Sequence, residues 1–357
     1  KRLYDATGLQ LAFAMTHVLQ AVSDTLPNKD RRGAASTADL VAEWDLFNRG
    51  EPTRGRIVAH GQGRWDYGTT GPETIGFESV GSAIGTADTF AEYSPTFLLR
   101  NLYWRQGSRE AGWFYQVGKQ TPDGVVSSSQ HLASETTFLP SGGTGPFAIA
   151  LPDSGLGAAG VWFFSDRLAL GGIVADANAD RFDAGDLGEG DLFTAVELWG
   201  QIAPRTSKAG YSKLTIWHTD GTQDGNAANG QLGPSGWGYY LKLEQEMTTD
   251  GRAIGILRYG KSFDNSALYD EQAAAHFLLY EPRFLTRLEN DVIGAAFNWA
   301  KTPIPGTRSE YHFEVFYRFP IFPNVDTSFS YQYIVDPALD LGVDDASVFS
   351  FRLRSAF

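Results

Sequence analysis

Cysteine is absent from the 357 residues and methionine occurs only twice. The missing thiol removes disulfides, thiolate nucleophiles and cysteine-based metal sites. It also suits a chain that crosses an oxidising periplasm. No run approaches the roughly 18 consecutive apolar residues that a membrane-spanning helix requires. The longest, Gly155 to Phe164, is short and rich in glycine. A helical membrane protein is thereby excluded. A β-barrel is not, because its strands dilute each lipid-facing residue with a polar one. Positive charge is in deficit too: 29 lysines and arginines stand against 42 acids, a net charge of −13 that argues against a nucleic-acid partner. The chain begins at Lys1 with no signal peptide before it, so a mature or trimmed form is expected.

What is present favours β structure. There are 40 glycines, 24 phenylalanines, 15 tyrosines and 9 tryptophans, with a mean hydropathy of −0.24. Aromatic segments broken by glycine-rich turns are a strand signature. The final segment is the clearest. Phe349, Phe351, Leu353 and Phe357 fall on one side of an extended strand, and Ser350, Arg352, Arg354 and Ala356 on the other. An apolar face opposite an arginine face suits a strand between lipid and a wet lumen.

About sixteen such segments recur, near 9–20, 37–47, 53–66, 95–106, 111–119, 155–164, 168–176, 191–202, 207–218, 236–246, 252–261, 270–280, 289–300, 308–319, 325–335 and 346–357. Most have the length of a strand tilted across a bilayer. The connections alternate. Asn48–Pro52, Gln106–Glu110, Ser165–Arg167, Ala203–Thr206, Met247–Gly251, Glu281–Arg287 and Pro320–Asn324 are short; those between them are mostly long. Short turns on one side and long loops on the other fit an outer-membrane barrel, with both termini at the periplasmic side. The fold expected is all-β: a transmembrane antiparallel β-barrel of about 16 strands, one domain over 1–357. The longest loop, 120–154, contains a possible helical turn (Ser127–Glu135) and an apolar piece (Phe147–Leu151). It is expected to fold inward as a constriction; an outward cap is the alternative.

The third strand places Arg54, Arg56, His60, Gln62 and Arg64 on one face. The second places Asp39, Glu43 and Asp45 opposite Leu40, Ala42, Trp44 and Leu46. Acids on one strand would thus meet bases on the next, either as a structural ladder or as a polarised wall for solute hydroxyls. Glu43, Arg56, His60 and Arg64 are therefore pore-lining candidates. Farther on, Tyr311, Phe313, Val315, Tyr317 and Phe319 read as outward, with His312, Glu314 and Arg318 inward.

Other motifs carry little. Asp176, Asn178 and Asp180, followed by Asp183, Asp186 and Glu189, resemble the start of a calcium loop. The sixth-position glycine and a clear twelfth-position glutamate are missing. A calcium ion at this outer loop is a minor possibility beside a solvated acidic loop, and no other cofactor is expected. Gly61-Gln-Gly63 opens no helix, the six histidines lack ligand spacing, and no Gly-x-Ser-x-Gly occurs.

Several segments, in order, resemble the OprB-like carbohydrate-selective porins of Gram-negative outer membranes. They are Trp104-Arg-Gln-Gly107, Val117-Gly-Lys119, Ala175-Asp-Ala-Asn178, Trp217-His-Thr-Asp-Gly221, Gly236-Trp-Gly238, Leu257-Arg-Tyr-Gly260, Asp291-Val-Ile-Gly-Ala-Ala-Phe297 and Glu314-Val-Phe-Tyr-Arg318, then Gln332-Tyr-Ile and Pro337. The chain is shorter than that family's usual length, with an abbreviated N-terminal region, which leaves the solute preference open. The resemblance implies a monomeric or trimeric sugar channel narrowed by an inward loop. It also implies lumen-facing roles for Glu197, Arg258, Glu314, Arg318 and Gln332; Arg100 and Trp104 share one face of the fourth strand and are wall candidates. Sugars need charged hydrogen-bonding groups and an aromatic stacking surface; Trp217 is the aromatic candidate, an outward girdle position being its alternative. The expected partners are small sugars, the lipid bilayer with its lipopolysaccharide, and the barrel-assembly machinery. Export of a polysaccharide, a general or anion-preferring porin, and an outer-membrane hydrolase are the competing functions.

Overall fold

The computed structural model describes residues 2–68, 70–90, 96–185, 187–188, 190–202, 206, 210–221, 235–282 and 289–357. A short helix α1 (Arg2–Thr7) precedes sixteen strands: β1 (Leu9–Val22), β2 (Arg32–Phe47), β3 (Gly55–Asp66), β4 (Thr96–Ser108), β5 (Trp113–Gln120), β6 (Gly155–Ser165), β7 (Leu168–Asp176), β8 (Leu192–Gly200), β9 (Ser212–Thr219), β10 (Gly236–Glu246), β11 (Ala253–Ser262), β12 (Glu271–Tyr280), β13 (Val292–Lys301), β14 (Glu310–Phe322), β15 (Val325–Val335) and β16 (Asp345–Ala356). Each pairs antiparallel with its sequence neighbours, and β1 pairs with β16 to close the barrel. Closure leaves no unpaired edge in the hydrocarbon.

The strand count matches the sequence reading. The strict alternation of connection length does not hold: the short-turn side includes 201–211 and 281–291, longer than the opposite 263–270 and 302–309. Period-two alternation sorts the faces. Phe313, Val315, Phe329, Tyr331, Phe349 and Phe357 are exposed on the outside, while His312, Glu314, Gln332 and Arg352 are buried inside. Phe357 closes the seam, its N–H donating to the Phe13 carbonyl oxygen at 2.8 Å and the Phe13 N–H donating back at 3.0 Å.

Two long connections enter the barrel. Residues 67–90 include a helical turn (Pro72–Thr74) that widens into π geometry over Ile75–Val80. Residues 121–154 carry a helical turn at Ser141–Thr144. The turn expected over Ser127–Glu135 is irregular chain instead; the Ser127 N–H, the Ser129 hydroxyl and the Ser128 carbonyl bond to Glu197, Glu244 and Lys242 of the wall. The apolar piece expected at Phe147–Leu151 is packed in the main core. There Ala148, Ile149 and Ala150 join Ile173, Phe193, Trp217 and Tyr240 from the wall. Gly260 permits this approach: a Cβ there would lie 2.3 Å from the Tyr240 ring and 2.9 Å from Ala148.

Candidate functional site

The inward loops are held by charged side chains of the wall. Arg258 donates to the carbonyl oxygens of Thr144 (3.1 Å) and Gly142 (3.1 Å), and also to those of Gly143 and Gly145. Arg318 donates to the Thr136 carbonyl at 2.9 Å and Arg352 to that of Thr137 at 2.9 Å. Glu314 accepts from the Leu139 N–H at 3.2 Å and from the Ser330 hydroxyl at 2.7 Å. Glu197 accepts from the Ser127 N–H at 2.7 Å and pairs with Lys213 at 3.1 Å. Gln332 donates to the Thr86 carbonyl of the other inward loop at 2.9 Å. Charge-assisted bonds of this kind are the stronger class, and they satisfy backbone groups that burial would otherwise orphan.

These contacts change the meaning of six sequence candidates. Glu197, Trp217, Arg258, Glu314 and Gln332 face inward, but are 3%, 1%, 4%, 1% and 0% exposed. They lie sealed beneath the loops and cannot line an open passage; Arg318 is half-buried against the same loop. Trp104 faces outward: it sits opposite Ile57 and Val117 on the lipid side of β4. The reason is a bulge. His60 pairs with Asn101 and Gly61 with Leu99, so Arg100 is the extra residue and the face alternation shifts by one across it. Arg100 and Trp104 therefore do not share a face, and Arg100 still reaches inward to Gln62 Oε1 at 3.4 Å.

The loops pack against β6 to β16 and β1. They also cover part of the β2 to β5 wall, where Ala35 meets Ala87, Phe90 and Leu139 and Lys119 donates to the Ser154 carbonyl at 2.9 Å; Asp39, Glu43, Arg56, His60, Arg100 and Tyr103 of that wall stay partly exposed. Along that wall Arg56 pairs with Glu43 and, at 3.1 Å, with Asp45; His60 meets Asp39 at 2.8 Å; and Arg64 Nε donates to Gln62 Oε1 at 2.8 Å. Glu43, Arg56 and His60 keep 37%, 16% and 21% of their side-chain surfaces exposed, whereas Arg64 is buried. Sequence reasoning missed the wall residues Asn101, Tyr103 and Arg105, although the alternation Asn101-Leu102-Tyr103-Trp104-Arg105 carries their signal. It also missed the loop acids facing this wall, Asp88, Asp123 and Glu135, which no pattern marks. Burial and the neighbouring Glu135 carboxylate push the Asp88 carboxyl up to about 6, against the opposing pull of Arg64 and Arg100. Beside it Thr89, at φ 67°, holds the left-handed conformation a β-branched residue rarely adopts, and its hydroxyl bonds Glu135 at 3.4 Å.

A closed sixteen-stranded barrel with a charged inner wall and two loops folded inward is the geometry of a porin. The profile described as carbohydrate-selective porin, OprB family, matches residues 151–357. The chain belongs to the OprB family. It is an outer-membrane porin for carbohydrates in a Gram-negative cell envelope, crossing the membrane with its strands. This porin's fold is similar to that of Pseudomonas putida OprB in its high-pH structure, at a TM-score of 0.79, 12% identity, and coverage of 100% of this chain and 96% of that one. The low-pH structure of the same protein gives 0.59, 10%, 100% and 94%. A multiply substituted porin of Rh. blastica gives 0.58, 12%, 98% and 100%. No curated protein matches the chain.

The outer loop at 177–191 is built from its own turns. Asp176 accepts from the Asn178 N–H at 3.0 Å, Asn178 donates to Asp191 at 2.7 Å, and Asp180 accepts from the Phe182 N–H at 2.8 Å. Among the described residues no three His, Asp or Glu side chains converge to hold a metal. Asp186 and Glu189 lie outside the described residues.

Proposed function

We propose that small sugars diffuse passively through the off-centre passage between the β2 to β5 wall and the loop at 121–154, which acts as the constriction. The observation that carries this reading is the asymmetry of the lumen. Arg258, Glu314, Arg318, Gln332 and Arg352 on β11 to β16 hold loop backbone, while Asp39, Glu43, Arg56, His60, Arg100 and Tyr103 stay partly exposed. Paired charges and a phenol offer a sugar several directional but individually modest contacts, which conduction requires. The chain acts as a channel without catalysing a reaction, and either direction of flux is compatible with a passive wall.

Assembly as a monomer or a homotrimer, and delivery of the Phe357 end to the barrel-assembly machinery, belong to the same proposal. Turn bonds on Asp176 and Asp180 support the reading of an acidic loop without a bound calcium ion. Calcium uptake by chelator-treated protein in calorimetry would change that. Planar-bilayer recording tests the reading: glucose or maltose should reduce single-channel current in a concentration-dependent way. Absence of block together with strong chloride selectivity would replace it with an anion porin, which Arg56, Arg64, Arg100 and Arg105 on one wall would favour.

A further inference from the structure

Beneath the inward loop, on the short-turn side, the lumen holds a cavity of about 260 Å³ roofed by Gly124 and Val125. Its floor and walls come from Arg105, Arg109, Phe114, Phe163, Trp199 and Tyr211. These residues sit at the periplasmic ends of β4, β5, β6 and β8 and in the turns beside them. The fold thus converges four aromatic rings and two guanidinium groups on one hollow. The Arg105 guanidinium stacks over Phe114 at 4.1 Å, and that of Arg109 over Tyr211 at 5.3 Å.

Two features make this hollow more than packing. In a chain of net charge −13, no carboxylate stands among the lining residues; Arg105 bonds Tyr103 and interacts with Glu43 of the wall, and Arg109 donates to the Asp166 carbonyl. The Trp199 indole N–H is buried with no hydrogen-bond partner. The cavity is smaller than the ~300–1,000 Å³ of drug-sized sites, which limits an occupant to one small ring. Arg105 is also the last inward residue of the row Asn101, Tyr103, Arg105, so a solute leaving the passage meets the hollow directly.

We propose that this cavity is a second binding site, selective for monosaccharides that carry a carboxylate. The carboxylate is taken by the planar guanidinium groups of Arg105 and Arg109, a fork-to-fork geometry that arginine favours. The pyranose ring lies against Phe163 and the Trp199 ring, whose other contacts are the Lys213 ammonium at 4.2 Å and the Tyr211 ring at 5.5 Å. The arrangement asks for ring and charge together: a neutral sugar brings the two cations no carboxylate, and a small carboxylate leaves the aromatic surface bare.

This proposal rests on the porin reading, and one experiment separates the two. Glucose, glucuronate and acetate are added in turn to the periplasmic side of the inserted wild-type channel, and binding is read from current noise. Glucuronate should bind about tenfold or more tightly than glucose, with acetate weaker than either, and Arg109→Gln should lower glucuronate affinity several-fold. Equal binding of glucose and glucuronate, or an acetate block as strong as that of glucuronate, overturns the second site while leaving the porin intact. An unchanged glucuronate affinity in correctly assembled Arg109→Gln also overturns it. Failure of every sugar to modulate current removes the porin reading, and the site with it. The wild-type comparison needs no variant, so a folding defect in Arg109→Gln does not shelter the proposal.

Discussion

Arg258 holds Thr144: a guanidinium on β11 donates at 3.1 Å to a main-chain carbonyl of the inward loop at 121–154. Three more loop carbonyls share the same side chain. Replacing Arg258 with methionine keeps bulk and removes the donors. The expected result is a loss of about 1–3 kcal/mol in chemical unfolding, together with a larger and noisier single-channel conductance as the loop loosens. Conductance identical to wild type would show that the loop holds its place without this anchor.

Gly260 offers a steric version of the same test. Gly260→Val puts branched carbon where the Tyr240 ring and Ala148 already meet. The loop segment Ala148–Ala150 should lift from the wall, raising conductance and increasing protease sensitivity inside 121–154. Both readouts at wild-type values would contradict the packing described.

Trp217 and Tyr103 separate buried from passage-lining aromatics. Trp217 is sealed in the core, so Trp217→Phe should cost about 1–3 kcal/mol of stability and leave glucose affinity in current noise unchanged. Tyr103→Ala should weaken that affinity several-fold. The reverse pattern would move the sugar path to the β9 side.

Asp88 makes ion selectivity depend on pH. Its carboxyl titrates near 6 instead of the ordinary 3.8. The folded protein therefore keeps a proton there that the unfolded chain has already released, and this group's contribution to stability falls as pH rises from about 4 to about 6. The charged neighbours facing it are Glu135, Asp123, Arg64 and Arg100. As pH falls from 7.5 to 5, Asp88 loses its charge and the arginines are less opposed, so reversal potentials should shift toward anions. Asp88→Asn should remove most of that shift; an undiminished shift would assign it elsewhere.

Much of the barrel was legible because lipid imposes period-two alternation on every strand. Phe349, Phe351 and Leu353 opposite Arg352 and Arg354 are enough to orient β16, and the same reading placed the Asp39, Glu43 and Arg56 ladder. Two things escaped it. Alternation for Glu314 and Gln332, and the family resemblance for Glu197 and Arg258, say which side of the wall a residue faces, not what covers it, so all four read as lumen surface when they are loop anchors. Alternation also assumes an unbroken ladder, and the extra residue Arg100 shifts the phase, sending Trp104 to the lipid face. Loop acids such as Asp88 have no period at all.

The chain's lack of cysteine allows the most direct test of the central claim, that solutes pass along the β2 to β5 wall. Single cysteines replace Tyr103 on that wall and Gln332 beneath the loop, and a charged thiol reagent is added during bilayer recording. The account predicts a rapid current drop for Tyr103→Cys and none for Gln332→Cys. Rapid block at Gln332→Cys with Tyr103→Cys unreactive would contradict it.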